Sequence, residues 1–326
     1  MRAFEYATAR DLDEAVSLLQ QADGQIRPLA GGTDLLPLIK ADVAQPRRLV
    51  DLKRVPELAT GIQTTPTGLT IGALTTLSTL ESDARLREGY AALVEAIGQA
   101  ATPQLRNMAT LGGNLLQRPR CWYFRSAHFH CWLKGGDVCH AREGENQLHA
   151  IFDTSPCVAV HPSDPPAALL ALDAAVVLSG AGGSRTLPLA DFFAVPTPDH
   201  RVEHVLRSGE LVTAVHLPSA TGVRSTYRKA MNRKVWAFAL VGVAAAVRVD
   251  GQGLIERARL VLNGVAPIPW RAEAAERELR GRPLDEGAIG RAVEAALADA
   301  QPLSKNGYKI PLAGGLIRQA LRGLMQ

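Results

Sequence analysis

The sequence predicts an α+β fold with two domains, and three observations lead to this prediction. The first 55 residues contain a strand–helix–strand pattern with a glycine turn at Gly31-Gly32. The composition changes near Pro218, after which three strands follow one another. Alanine-rich helical segments come last. We therefore predict domains at 1–219 and 220–326, and divide the first into subdomains of about 1–55 and 56–219.

The N-terminal unit begins with an extended segment at Phe4-Glu5-Tyr6. Asp11 is a suitable N-cap for the amphipathic helix that follows, because its side chain can accept a hydrogen bond from a free N–H group of the first turn. Residues 26–30 predict a buried strand that runs into the glycine turn. Residues 35–40 then predict a helix, and residues 48–52 a second strand.

The middle of the chain alternates between regular and irregular segments. Residues 79–97 predict helices with loop breaks, whereas residues 117–160 have no regular period. Residues 167–178 predict a helix that leads to a strand. The glycines at 180–183 indicate a hairpin turn, because Arg185 stands where a dinucleotide fingerprint needs its third glycine.

The C-terminal domain is predicted to be a three-stranded sheet with helices. Asp250-Gly251-Gln252-Gly253 is a hairpin signal between its second and third strands. The predicted strands are 224–231, 239–249 and 257–262, and the predicted helices are 270–279 and 286–300.

The composition is that of an ordinary globular protein, with 47% apolar and 21% charged residues among 326. A net charge of +4 and the absence of a dense Lys/Arg tract argue against nucleic acid. No stretch approaches the roughly 20 apolar residues of a membrane span, and the first residues are acidic where a signal peptide needs an apolar core. We expect a cytoplasmic chain that reaches the periplasm only if a partner with a signal exports it.

Two glycine pairs are candidates for an anion site. The first lies in Leu29-Ala30-Gly31-Gly32-Thr33-Asp34-Leu35 and the second in Thr110-Leu111-Gly112-Gly113-Asn114. Glycine permits positive φ, so successive N–H groups can line an anion, and a following helix start adds its positive dipole end. Two such loops would suit a diphosphate held from both sides, although each could be a simple strand-to-helix turn.

All four cysteines fall within 37 residues, at Cys121, Cys131, Cys139 and Cys157. Without a secretory signal, such a cluster indicates metal ligands rather than disulfides. The cysteines are separated by 9, 7 and 17 residues, so the two-to-four-residue spacing of zinc knuckles is missing. This spacing favours a [4Fe–4S] cluster, while zinc and unliganded cysteines remain alternatives. Nearby cations could offset its charge: Arg118, Arg120, Arg125 and Lys134.

Several stretches resemble a known family. AGGTDL (Ala30–Leu35), RNMATLGGN (Arg106–Asn114), HPSDPPAALLALDA (His161–Ala174) and ELVTAVHLP (Glu210–Pro218) are similar to the FAD-binding subunits of the xanthine dehydrogenase family of molybdenum hydroxylases. The resemblance covers essentially the whole chain. It implies a two-part FAD-binding domain of the PCMH and xanthine dehydrogenase type, followed by the α+β domain.

The cysteine segment resembles an insert that only some branches of this family carry. In most relatives the second glycine loop runs almost directly into the Ser-Asp segment, whereas about 40 residues intervene here, at 117–160. The insert is similar to that of two branches that hold a [4Fe–4S] cluster there. RCWYFR and CVAVHPSD are closer to periplasmic aldehyde oxidoreductase than to 4-hydroxybenzoyl-CoA reductase.

The resemblance also implies roles for individual residues. The first loop would contact the FAD diphosphate, the second loop the flavin side, Asp164 the cofactor hydroxyls, and Lys229 the pyrimidine edge of the flavin. Many relatives carry Asp a few positions beyond that lysine, where this chain has Trp236-Ala237-Phe238. The implied cofactor contacts are Leu29, Ala30, Gly31, Gly32, Thr33, Asp34, Leu35, Ala109, Thr110, Gly113, Asn114, Leu116, Asp164, Leu211, Val212 and Lys229.

The implied complex has three subunits. A large partner would hold molybdenum, a small partner two [2Fe–2S] centres, and this chain would pass electrons through FAD to a soluble acceptor, with no catalytic acid, base or nucleophile of its own. Two alternatives are a stand-alone FAD-dependent oxidase and a zinc-stabilised binding module. Stand-alone oxidases often place a flavin-linking His or Cys beside the glycine loop, and this chain has neither residue there.

Overall fold

The computed structural model describes residues 2–20 and 25–325. The ends of the predicted domains at Met1 and Gln326 lie outside these residues. Three sheets follow one another along the chain, with three, five and four strands.

The first sheet is parallel, with strand order β1-β3-β2. It confirms the predicted strand–helix–strand unit, and Asp11 Oδ1 accepts from Glu14 N as expected of a cap. The strand before the glycine turn is an edge strand, however, in which Arg27 and Pro28 are exposed. Proline suits an edge because it cannot donate to a neighbouring strand. The elements are β1 (Glu5–Thr8), α1 (Leu12–Gln20), β2 (Ile26–Leu29), α2 (Leu35–Lys40) and β3 (Arg48–Asp51).

The second sheet is antiparallel, with order β4-β5-β8-β6-β7. The helices that pack on this sheet bury the largest apolar cluster of the described residues. The glycines at 180–183 form the predicted hairpin between β6 and β7. The strands are β4 (Ile62–Thr65), β5 (Gly68–Gly72), β6 (Ala175–Gly180), β7 (Gly183–Pro188) and β8 (Leu211–Pro218), and the helices are α3 (Leu77–Ser82), α4 (Ala84–Gly89), α5 (Ala91–Gly98), α6 (Pro103–Arg106), α7 (Leu111–Leu115), α9 (Pro165–Ala171) and α10 (Leu189–Phe192).

The cysteine insert contains little regular structure. Its helix α8 (Trp122–Arg125) is a single turn, and Trp132–Lys134 form one 3-10 turn; the other such turn of the described chain is Pro56–Leu58.

The C-terminal sheet has four strands in the order β12-β11-β10-β9, one more than predicted. Trp270 was predicted to begin a helix but pairs with Leu262 as an edge strand, and Phe152 of the insert stacks on its ring with centroids 4.4 Å apart. The elements are β9 (Val223–Ala230), β10 (Val241–Val249), β11 (Ile255–Asn263), β12 (Trp270–Arg271), α11 (Glu273–Leu279), α12 (Glu286–Leu297) and α13 (Lys309–Arg322).

Helix α13 was not predicted, although its apolar residues recur at helical spacing. Pro311 and the pair Gly314-Gly315 obscured the pattern. Proline is tolerated in the first helical turn, where Pro311 lies. Among the described residues, no helix is long and apolar enough to cross a membrane.

Candidate functional site

The first glycine loop joins β2 to α2 and packs directly on the second. A Cβ atom on Gly31 would lie 1.8 Å from the carbonyl oxygen of Met108, so no side chain fits there. Gly32 has φ +72°, a left-handed conformation that glycine adopts without strain. The two loops therefore meet because the first carries glycine at both positions.

The second glycine loop is shaped by Thr110, which caps the short helix α7. Its Oγ1 accepts from Gly113 N at 3.2 Å, and Gly112 N donates to the carbonyl of Ala73. Asn114 is held from the other side, since Ser163 Oγ donates to its Oδ1. Thr110 thus fixes the backbone of the loop, and Ser163 fixes the side chain of Asn114.

Both loops line one cavity of about 1070 Å³. This is at the upper end of the roughly 300–1,000 Å³ of small-molecule sites, which suits a large ligand. Of the residues assigned to cofactor contacts, all but Lys229 line it. Five cations of its wall also suit an anionic group: Arg27, Arg118, Arg120, Arg207 and Arg233.

Asp164 lines the cavity but is already hydrogen-bonded within the protein. Its side chain is 4% exposed, and Lys229 Nζ donates to its Oδ2 at 2.7 Å. Tyr227 Oη and Asn263 Nδ2 donate to Oδ1 at 2.7 and 3.0 Å. Burial raises the pKa of Asp164, and the Lys229 ammonium opposes that shift. Lys229 does not line the cavity, and its Nζ also donates to the carbonyl of Gln99 at 2.9 Å.

The four cysteines are free and gather in one apolar cluster. Burial raises the pKa of Cys121 to about 11, against hydrogen bonds from the N–H groups of Phe124 and Tyr123, and charge on Cys139 and Cys131 raises it further. The Cys157 thiol donates to Cys139 and lowers the pKa of that group to about 6, while the pKa of Cys157 rises well above its usual value. The four sulfur atoms thus interact with one another.

Within 2–20 and 25–325, no three His, Cys, Asp or Glu side chains are spaced to hold a single metal ion. The described cysteines therefore form an apolar cluster, without the geometry of a preformed single-metal site.

The four cations predicted beside the cysteines bind other groups of the protein. Arg120 and Arg125 bind Asp34, Arg118 lies 3.3 Å from Glu203, and Lys134 donates to the carbonyl of Ser126. The correct neighbour is Arg142, whose guanidinium donates to Asp153 and to the carbonyls of Ser155 and Pro156, just before Cys157. Its pKa is raised, first by Asp153 and also by Cys139 and Cys157.

His149 was not among the predicted site residues, but its Nε2 lies 3.2 Å from Cys121 Sγ. The residue is 2% exposed, and burial lowers its pKa to about 4, so the ring is neutral at physiological pH. The only sequence signal was its position inside the cysteine segment.

The insert is fastened to the C-terminal domain as well as to the glycine loops. Lys309 Nζ donates to the carbonyls of Leu148, His149 and Gly264 at 3.0, 2.9 and 2.7 Å. Asn306 Nδ2 donates to the carbonyls of His149 and Ala150. The segment that carries His149 therefore depends on residues that are more than 150 positions away along the chain.

Comparisons with known proteins place the chain in a family. Residues 2–220 match the family described as the FAD binding domain in molybdopterin dehydrogenase, and residues 225–324 match the CO dehydrogenase flavoprotein C-terminal domain. The chain belongs to the FAD-binding subunits of the molybdenum hydroxylase family. This FAD-binding subunit is 40% identical over 317 residues to the aldehyde oxidoreductase FAD-binding subunit PaoB of Escherichia coli (strain K12), with 96% of this chain and 95% of that one covered.

A second relative is the carbon monoxide dehydrogenase medium chain of Hydrogenophaga pseudoflava, 31% identical over 323 residues, with 98% and 96% covered. A solved structure of carbon monoxide dehydrogenase from that organism matches this subunit with a TM-score of 0.79 at 30% identity, again covering 98% and 96%. These matches confirm the predicted family and fold class. Relatives named aldehyde, carbon monoxide and xanthine dehydrogenase subunits make this chain part of an oxidoreductase. FAD binding contradicts the alternative of a zinc-stabilised module without flavin.

Proposed function

We propose that this chain carries a [4Fe–4S] cluster beside its FAD and transfers electrons in a heterotrimeric molybdenum hydroxylase. Its partners would be a large molybdenum subunit and a small subunit with two [2Fe–2S] centres. The proposed role is to relay electrons from the small subunit to an external acceptor. The substrate site belongs to the large subunit in this proposal.

The observation that carries the proposal is a wall common to the cysteine cluster and the cavity. Leu38, Phe124 and Leu133 belong to both. A cluster held by Cys121, Cys131, Cys139 and Cys157 would therefore be separated from the cavity by about one layer of side chains. This proximity supports electron exchange between the two sites.

The residues of the chain bind and orient rather than react. FAD supplies one- and two-electron chemistry when bound, and an iron–sulfur cluster supplies one-electron chemistry. The N–H groups of the first glycine loop and the arginines of the wall suit the diphosphate. Leu211 and Val212, each 5% exposed, offer an apolar surface for the isoalloxazine.

The substrate class we propose for the complex is an aldehyde, with an N-heterocycle as the alternative. The name of the 40% identical relative supports the aldehyde. A stand-alone oxidase is not favoured by any contact in the cavity.

Metal and flavin analysis of the purified full chain tests the proposal. We expect one FAD and about four iron atoms per chain, and a [4Fe–4S] signal in electron paramagnetic resonance after reduction. Cys157→Ser should lose iron and this signal. His128→Gln, at an exposed position of the same insert, should keep both. Stoichiometric zinc without iron, or full iron content in Cys157→Ser, would overturn the iron–sulfur assignment.

A further inference from the structure

Asp34 occupies the N-cap position of α2 but makes no capping hydrogen bond. Both of its carboxylate oxygens bind the cysteine insert instead. Oδ2 accepts from the backbone N–H of Arg118 at 2.8 Å, and Oδ1 accepts from Arg125 Nη2 at 2.6 Å and lies 2.8 Å from Arg120 Nη2. The side chain of Asp34 is 17% exposed, and those of Arg120 and Arg125 are 28% and 16% exposed.

These contacts offset the negative charge that Asp34 places in the cavity. Asp34 lines the cavity beside the glycine pair where the diphosphate is expected, and two like charges repel there. The guanidinium groups of Arg120 and Arg125 offset the carboxylate. Arg120 itself lines the cavity.

The same two arginines are rigidly connected to Cys121. Arg120 immediately precedes it, and Arg125 N donates to the Cys121 carbonyl at 2.9 Å. The Arg125 guanidinium also donates to the carbonyls of Pro119 and Arg118, which fixes the chain that leads to Cys121. Any ligand that holds the Cys121 sulfur atom therefore also holds the partners of Asp34.

We propose that Asp34 is a positioning residue that couples FAD affinity to occupation of the cysteine site, through Arg120 and Arg125. The inference rests on the proposed function, since it requires iron at the cysteines. With iron bound, Arg120 and Arg125 remain paired with Asp34, and their charges offset the carboxylate beside the diphosphate. Without iron, this segment loosens and the carboxylate faces the diphosphate. By linkage, FAD must strengthen retention of iron by the same factor.

The test is a titration of the deflavinated full chain with FAD, followed by flavin fluorescence. The dissociation constant is measured with iron present and after iron has been removed by chelation and oxidation. We expect removal of iron to weaken FAD binding by about tenfold in the wild type, within the usual range of coupling between two sites. In Asp34→Asn the ratio of the two constants should approach one, because the neutral amide neither attracts the arginines nor repels the diphosphate.

Two further variants keep the result interpretable. Arg125→Gln breaks the same contact from the insert and should also bring the ratio towards one, which serves if Asp34→Asn does not fold. Glu145→Gln removes a carboxylate of the insert that binds Lys305 far from the cavity wall, and should keep the wild-type ratio. A wild-type ratio of one, or an unchanged ratio in both Asp34→Asn and Arg125→Gln, would overturn the coupling. Failure of the wild type to bind iron would overturn the proposed function instead.

Discussion

Two of the carboxylates that line the cavity, Asp34 and Asp164, are neutralised by different parts of the chain. Asp34 is partly exposed and binds arginines of the cysteine insert, whereas Asp164 is 4% exposed and binds Lys229 of the C-terminal domain. In this chain, cations from outside the glycine loops thus offset both carboxylates. The comparison implies that the Asp164 pair supports the fold, and that the Asp34 pair supports communication between two sites.

The largest effect should come from Lys229→Met. This change leaves Asp164 buried without its counter-ion, and breaking a buried pair typically costs about 3–5 kcal/mol. Urea denaturation of the full chain should show this loss. Lys305→Met, which breaks an exposed pair with Glu145, should leave the midpoint unchanged. Equal stability of the two variants would contradict the structural role of the Asp164 pair.

Arg125→Gln should destabilise the protein less than Lys229→Met. Asp34 keeps Arg120 and the Arg118 N–H, and a hydrogen bond to a charged group contributes about 1.5–3 kcal/mol. The same denaturation series measures it. Arg248→Gln, in an exposed pair with Glu256, should cost about 0–1 kcal/mol. If Arg125→Gln costs more than Lys229→Met, the division of roles between the pairs is wrong.

Gly31→Ala should separate the two loops on the Asp34 side of the cavity. The added methyl group would overlap the Met108 carbonyl, and such overpacking costs about 1–3 kcal/mol. If this strain falls on the FAD-bound state, the dissociation constant for FAD should rise by about 5- to 150-fold. Fluorescence titration measures the change. Gly182→Ala, where an added Cβ meets nothing within 4 Å, should bind FAD like the wild type.

The last prediction concerns pH and uses two histidines, the buried His161 and the half-buried His204. Burial lowers the pKa of His161 and of His204 to about 4. The unfolded chain therefore binds more protons between pH 6.5 and about 4, so stability falls as the pH drops, by up to about 1.4 kcal/mol per pH unit for each histidine. His161→Gln should make this dependence shallower. His128→Gln, at an exposed position, should not.

Local features of the chain were predictable, and pairings across long distances were not. The glycine turns, the Asp11 cap and the hairpin at 180–183 follow from backbone preferences that act over a few residues. The arginine partners of Asp34 were not predictable, because nothing near it in sequence indicates partners more than 80 positions later. His149 and Lys309 escaped notice for the same reason. Lys229 stays a predicted contact of the flavin edge, and its pairing with Asp164 was not expected.

Lys309, at the start of α13, donates hydrogen bonds to three carbonyl groups, and this has a consequence for shortened chains. A frameshift or proteolytic cut ahead of α13 removes Lys309. Within the described residues, Lys309 is the only charged donor to those three oxygen atoms. The carbonyls of Leu148 and Gly264 would lose this donor, at about 1–3 kcal/mol each, whereas the His149 carbonyl would keep Asn306 Nδ2. Damage near the end of the chain should therefore loosen the cysteine segment in its middle.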